Sequence, residues 1–163
     1  MYAFHLCERI QKMKMQKNHP TLFAEIIAGL LVFLFLYASL SKLSDINFFT
    51  NQLHRFPFIK EFSGLIAWLI PLSELLVVAM LLIPGNLMRG FFLSTLLLSL
   101  FTIYLFIMLL IKHDQLPCSC GGVLKYLSWG QHILFNIVFI LLALAGIWTE
   151  KIYKQYQLSE TQF

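Results

Sequence analysis

Two cysteines separated by one residue carry the strongest chemical signal in this sequence. Cys118 and Cys120 lie in the run PCSCGG, which begins at Pro117. A disulfide needs Cα atoms within about 7 Å, and an extended chain places residues i and i+2 near that limit. Proline and glycine favour a chain reversal, which would bring the two sulfurs together. A bond that closes so small a ring is strained, and strained, exposed disulfides exchange readily.

Three kinds of site fit these cysteines. The first, which we favour, is a catalytic thiol–disulfide exchange pair on the oxidising side of a membrane, formed by Cys118 and Cys120. The second is a structural staple, or two free thiols in a turn. The third is a metal site in which His113 or His132 adds to two thiolates. Cys7 lies in a basic tail and is predicted to be a reduced thiol without a role.

Glu74 is the next candidate, because it falls near the middle of an apolar run, three residues after Pro71. A carboxylate at that depth costs about 2.5–3.5 kcal/mol on insertion scales, so it should face the interior of a helix bundle, paired or protonated. Two roles stay open. Glu74 either relays protons or contacts a bound quinone, or it is a hydrogen-bonded residue that locks helices beside a proline kink.

Three further residues are predicted to support the cysteines. His132 and Asn136 share one helical face with Trp129, and His132 could exchange protons with a thiolate or simply pack against a neighbouring helix. Asn136 is expected to hydrogen-bond between helices. Lys42 ends the first apolar run, where its ammonium would favour a thiolate or, as is more common, extend to the lipid headgroups.

The elements that must position these residues are membrane-spanning helices. Of the 163 residues, 59% are hydrophobic and only 12% are charged, against about 25% charged in soluble domains. Spanning a bilayer takes about 20 apolar residues, and lipid forces such a segment to be helical. The sequence therefore predicts an all-α integral membrane protein, a four-helix bundle with short loops. Its spans are predicted at residues 22–43, 64–84, 89–112 and 128–148.

Charge gives a predicted orientation. Residues 1–20 form a basic tail, residues 21–148 the bundle and residues 149–163 a second tail. Because positive segments stay in the cytoplasm, we expect both tails there, and the cysteine loop on the periplasmic side of a bacterial inner membrane. The net charge of +4 is thus explained by topology and does not indicate nucleic-acid binding. In the first outer loop, a short amphipathic helix is predicted from apolar residues at helical spacing, namely Ile46, Phe49, Leu53 and Phe56, ending at Pro57.

Several short motifs resemble the MauE/DoxX family of redox-associated membrane proteins, over roughly residues 23–148. The resemblance is strongest in the PCSCGG run, which is similar to the cysteine loop of MauE-like members. The other matching stretches are Ala38–Leu43 with Asp45 and Phe48, Ile70–Glu74, Phe101–Tyr104, and Ser128-Trp129 with His132 and Asn136.

This resemblance implies a four-helix membrane bundle with a supporting role in disulfide chemistry outside the cytoplasm. The MauE branch is associated with maturation of the disulfide-rich subunit of methylamine dehydrogenase. We do not carry that substrate over, because Gly121-Gly122 stands where MauE itself has a Phe-Gly type ending.

The leading hypothesis is a membrane redox component. Cys118 and Cys120 would exchange electrons with a thioredoxin-like or disulfide-rich periplasmic partner, and pass them to or from a second membrane protein or a quinone, the one cofactor that the hypothesis invokes. Two alternatives are a non-catalytic assembly or scaffold subunit with a structural cysteine loop, and a metal-handling membrane protein.

Overall fold

The computed structural model describes residues 19–54, 60–83, 85–111 and 129–160. These residues are almost entirely helical and contain no strand, which confirms the predicted all-α class. The helices are α1 (His19–Ser44), α2 (Ile46–Leu53), α3 (Ser63–Leu82), α4 (Leu87–Ile111) and α5 (Trp129–Glu160), with a 3-10 turn at Lys60–Phe62 before α3.

Four of the helices are long and apolar enough to cross a membrane, as predicted. The candidate spans are Leu22–Ser44, Lys60–Leu82, Leu87–Ile107 and Gly130–Tyr156. Large apolar side chains cover their outer surfaces, and Phe33 and Trp148 are among the most exposed. Such a surface suits lipid and not water, so the chain is a membrane-embedded bundle.

Neighbouring helices run antiparallel. At one end of the α4–α5 pair the ring of Phe101 meets His132, and at the other end Lys154 Nζ lies 3.9 Å from Met88 Sδ. The short helix α2 follows α1 directly, and the Asp45 side chain caps it by accepting a hydrogen bond from the Phe48 N–H at 3.0 Å. We call the end of the bundle that carries α2 the α2 end.

The helix α2 confirms the predicted amphipathic segment as far as Leu53, whereas Phe56 and Pro57 lie outside the described residues. Its apolar side chains Phe49 and Leu53 are buried against Ala67 of α3. The segment therefore packs on the bundle and closes the α2 end.

The half of the bundle away from α2 has an apolar core in which helices approach closely. A Cβ on Gly146 would lie 2.7 Å from the Phe91 ring, and one on Gly90 would lie 2.7 Å from the Leu81 side chain. Small residues are what membrane helices use where backbones must approach. The buried side chains of this core include Ile27, Leu31, Phe35, Val77, Leu98 and Ala143.

The last helix extends past the predicted end of the fourth span. That span was predicted over residues 128–148, with a tail over residues 149–163, and α5 continues without a break from Trp129 to Glu160. Once a helix exists, each added residue gains a hydrogen bond without a new nucleation cost, so the polar segment extends it.

Candidate functional site

The centre of the bundle near the α2 end contains a buried ion pair between Lys42 of α1 and Glu74 of α3. Lys42 Nζ lies 2.6 Å from Glu74 Oε1, and only 6% of the Lys42 side chain and 10% of the Glu74 side chain are exposed. The ammonium also donates to the Ala38 carbonyl at 3.3 Å and lies 6.0 Å from the centre of the Phe49 ring. Glu74, which was predicted to face the interior either paired or protonated, is thus buried and paired with a lysine.

The direction of the Lys42 side chain follows from how α1 and α3 are aligned. Ser39 Oγ donates to the Pro71 carbonyl at 3.2 Å, so these two residues lie at the same level. Because the helices are antiparallel, Lys42 lies one turn closer to the α2 end and Glu74 one turn further from it, about 4.5 Å in each direction. The lysine therefore extends inward along the bundle, and not outward to the lipid headgroups.

Helix α5 adds His132 and Asn136 to the same interior. His132 is 3% exposed and Asn136 is 4% exposed. The two lie one turn apart and share a buried face, as their spacing predicted. The His132 ring meets the Phe101 ring edge-on at 5.9 Å between centroids. The side chain of Trp129 lies outside the described residues.

Several polar atoms of this interior have no hydrogen-bond partner within the described ranges. They are Glu74 Oε2, His132 Nδ1 and Asn136 Nδ2. Buried polar groups in native proteins are almost always paired with protein or with ordered water. These atoms therefore mark a place where a polar group from outside the described protein atoms belongs.

Helix α4 supplies aromatic walls. Phe101 contacts His132, and Tyr104, one turn further along, packs against the cluster formed by Phe49, Leu53 and Ala67. Neither Phe101 nor Ser39 was predicted from the sequence to be a site residue. A buried Ser39 could have been found from its spacing, because it lies one turn before Lys42 on the same helical face.

The structure thus brings together the four predicted supporting residues Lys42, Glu74, His132 and Asn136 in one buried interior. The predicted catalytic pair, Cys118 and Cys120, lies outside the described residues, as does His113. Among the residues that the structure does describe, no group of three His, Cys, Asp or Glu side chains is placed to hold a metal ion.

The architecture agrees with a comparison at the level of sequence families. The family model described as "Methylamine utilisation protein MauE" matches residues 20–149. The chain belongs to the MauE family. The match begins next to His19, the first residue of α1, and ends in α5 just after Trp148. It therefore includes all four candidate site residues of this MauE-family bundle. Neither the curated proteins nor the solved structures contain a significant match to the chain.

Proposed function

We propose that this MauE-family protein is a membrane redox component that supports thiol–disulfide exchange through Cys118 and Cys120. The cysteines would work on the periplasmic side of the inner membrane of a bacterium. Their partner would be a thioredoxin-like or disulfide-rich protein, and their electrons would pass to or from a quinone or a second membrane protein.

The observation that carries this proposal is the buried Lys42–Glu74 pair with His132 beside it. Ionisable residues inside a membrane are expensive and are retained mainly where protons, ions or substrates are handled. The two helix ends that flank residues 112–128, Ile111 of α4 and Trp129 of α5, lie at the α2 end, the end to which Lys42 also belongs. The polar interior is thus on the correct side of the bundle to serve a cysteine pair in the intervening segment.

The chemistry balances as a two-electron exchange. A partner dithiol attacks the Cys118–Cys120 disulfide through one thiolate, forms a mixed disulfide, and then leaves as a disulfide while its two protons pass to Cys118 and Cys120, which become thiols. Reoxidation of the two thiols by a quinone forms the disulfide again and transfers two electrons and two protons, giving a quinol. The reverse sequence is equally balanced and would deliver reducing equivalents to the partner.

In this proposal the buried residues manage charge and protons. Lys42 would favour the thiolate form of a nearby cysteine through its positive charge, and His132 would exchange a proton with it. Glu74 would handle protons or contact the carrier inside the bundle, while Asn136 would orient its neighbours by hydrogen bonding.

The test is to trap the mixed disulfide. The chain has three cysteines, so Cys7→Ser leaves only the proposed pair and is the matched control. In that background Cys120→Ser keeps a single attacking thiol at Cys118 and removes the resolving one. We expect non-reducing gels of membranes to show a covalent adduct that disappears on reduction and is absent from Cys7→Ser alone. Labelling of intact cells with an impermeant maleimide after mild reduction should tag both cysteines.

A scaffold subunit gives a different pattern. If the cysteines form only a structural staple, Cys118→Ser and Cys120→Ser lower the amount of folded protein and trap no partner. If both variants accumulate normally, trap no adduct and support full function, the cysteine-based proposal is wrong. Metal that copurifies with Cys7→Ser and is lost from Cys118→Ser would favour the metal-handling alternative instead.

A further inference from the structure

The polar atoms without partners are the least explained feature of the bundle. Glu74 Oε2, His132 Nδ1 and Asn136 Nδ2 belong to side chains that are nine-tenths or more buried, and none of the three has a hydrogen-bond partner among the residues described. A structural lock between helices would use up these atoms, because an unmade hydrogen bond in hydrocarbon is costly. Their retention points to a ligand that the described protein atoms alone do not provide.

The three atoms lie on helices that pack against the helix of Lys42. Lys42 Nζ is bonded to the other oxygen of Glu74, Oε1, at 2.6 Å. Asn136 follows His132 by one turn on the same buried face of α5. The unpaired atoms therefore come from α3 and α5, and both of these helices pack against α1.

The donor and acceptor roles of the three unpaired atoms restrict which ligand could bind them. Carboxylate Oε2 only accepts, amide Nδ2 only donates, and imidazole Nδ1 does one or the other according to its tautomer. A ligand that serves all three must both donate and accept. Water meets these requirements, and buried waters typically make about three hydrogen bonds to such groups.

We propose that Glu74, His132 and Asn136 hold one or more ordered waters beside Lys42, and that this hydrated cluster binds a proton inside the membrane. The Glu74 carboxylate takes up the proton and becomes a neutral acid, and the water connects it to the His132 imidazole. Uptake of one proton raises the net charge of the cluster by one.

The use of that proton rests on the proposed function. When two thiols become a disulfide, two protons are released together with two electrons, and the electrons go to the quinone or membrane partner named above. The cluster would accept these two protons one at a time on their way to the reduced carrier, which takes up both.

Infrared difference spectroscopy on the purified full-length protein in lipid nanodiscs tests the site. On acidification we expect the C=O band of a buried carboxylic acid to appear, together with bands of weakly hydrogen-bonded water that shift in H₂¹⁸O. Glu74→Gln should abolish the acid band. Glu61→Gln, the same change at an exposed carboxyl, should leave it unaltered.

A second variant keeps the ion pair. Asn136→Leu removes the amide donor while Glu74 and Lys42 remain, and it should abolish or shift the ¹⁸O-sensitive water bands with the acid band retained. The inference is overturned if wild-type protein shows no such water bands, or if the acid band survives in Glu74→Gln. A lowered melting temperature in these variants with unchanged spectra would also overturn it, because that is the pattern of a packing role.

The same measurement on Cys118→Ser/Cys120→Ser separates the two proposals. If that variant keeps both sets of bands but the trapping experiment fails, the hydrated cluster stands and the redox function falls. If trapping succeeds while wild-type protein lacks the bands, the redox function stands and the proton-binding cluster falls.

Discussion

The half of the bundle around Leu31 and Phe91 and the half around Lys42 and Glu74 differ in what fills their centre. In the first, fully buried apolar side chains meet small residues, and Phe91 lies against Gly146. In the second, an ion pair, an imidazole and an amide occupy the interior. Lipid is as apolar as a leucine side chain, so close packing holds the first half, whereas the second half contains groups that lipid penalises.

This difference separates the parts of the molecule that hold it together from the parts that do chemistry. A bundle of this size needs no buried charge for its stability, because replacing a buried ion pair with apolar residues is often neutral or stabilising. The polar half is therefore best explained as a functional site that the apolar half holds in place. Substitutions in each half test this contrast.

The largest loss of stability is expected from Lys42→Met. It leaves the Glu74 carboxylate buried without its partner, and breaking one side of a buried pair costs about 3–5 kcal/mol. We expect a large loss of folded protein in membranes and a lower melting temperature in detergent, measured by size-exclusion chromatography of heated samples. Lys60→Met, at an exposed lysine of the 3-10 turn, is the control and should match wild type.

The double variant Lys42→Met/Glu74→Leu tests the interpretation of that loss. It removes both charges, so stability should return close to the wild-type value while function does not. If the double variant is as unstable as Lys42→Met, the pair contributes to stability itself and the contrast between the two halves is wrong.

The second-largest loss of stability is expected from a substitution in the apolar half. Gly146→Ala places a methyl group 2.7 Å from the Phe91 ring, which is completely buried and has no space to move into. Overpacking of this kind costs about 1–3 kcal/mol, so the melting temperature should fall. Gly130→Ala on the same helix meets no atom of the described residues within 4 Å and should be neutral or slightly stabilising, because alanine is the better helix former.

Stability and function should also separate at Gly146. The variant touches no residue of the polar half, so protein that remains folded should keep its activity and its trapped adduct. A Gly146→Ala protein with normal stability would show that α4 and α5 can move apart, and that packing in this half is looser than the structure indicates.

The sequence predicted the polar half less completely than the apolar half. Four spans followed from the length of the apolar runs, and the inward position of Glu74 followed from the cost of a carboxylate in lipid. The partner of Glu74 did not follow, because Lys42 stands at the end of a span, where a lysine commonly reaches the headgroups. Only the alignment of α1 with α3, visible in the Ser39–Pro71 bond, decides that this lysine points inward.

Two other gaps between the sequence predictions and the described structure have similar causes. The end of the fourth span was placed at Trp148 because the hydrophobic run stops there. A hydrophobic run reports the limit of the membrane and not the limit of a helix, and α5 continues to Glu160. The exchange role of Cys118 and Cys120 stays a prediction, since both lie outside the described residues.

The smallest effect is expected from Ser39→Ala, which removes the hydrogen bond from Ser39 Oγ to the Pro71 carbonyl. Hydrogen bonds between membrane helices contribute about 0.6 kcal/mol on average, so the change in melting temperature should be small. Ser44→Ala is the matched control, because the exposed Ser44 hydroxyl bonds only to Leu40 within its own helix at 2.7 Å.

The small stability change caused by Ser39→Ala alone is less informative than whether it adds to the stability changes caused by the other variants. Ser39 aligns α1 with α3, the same alignment that lets Lys42 reach Glu74, so Ser39→Ala and Lys42→Met should be non-additive in a double-mutant cycle. Ser39→Ala and Gly146→Ala act in different halves and share no partner, so their effects should add. If Ser39 couples instead to Gly146 and not to Lys42, the two halves respond as one unit, and the polar interior is part of the structural core.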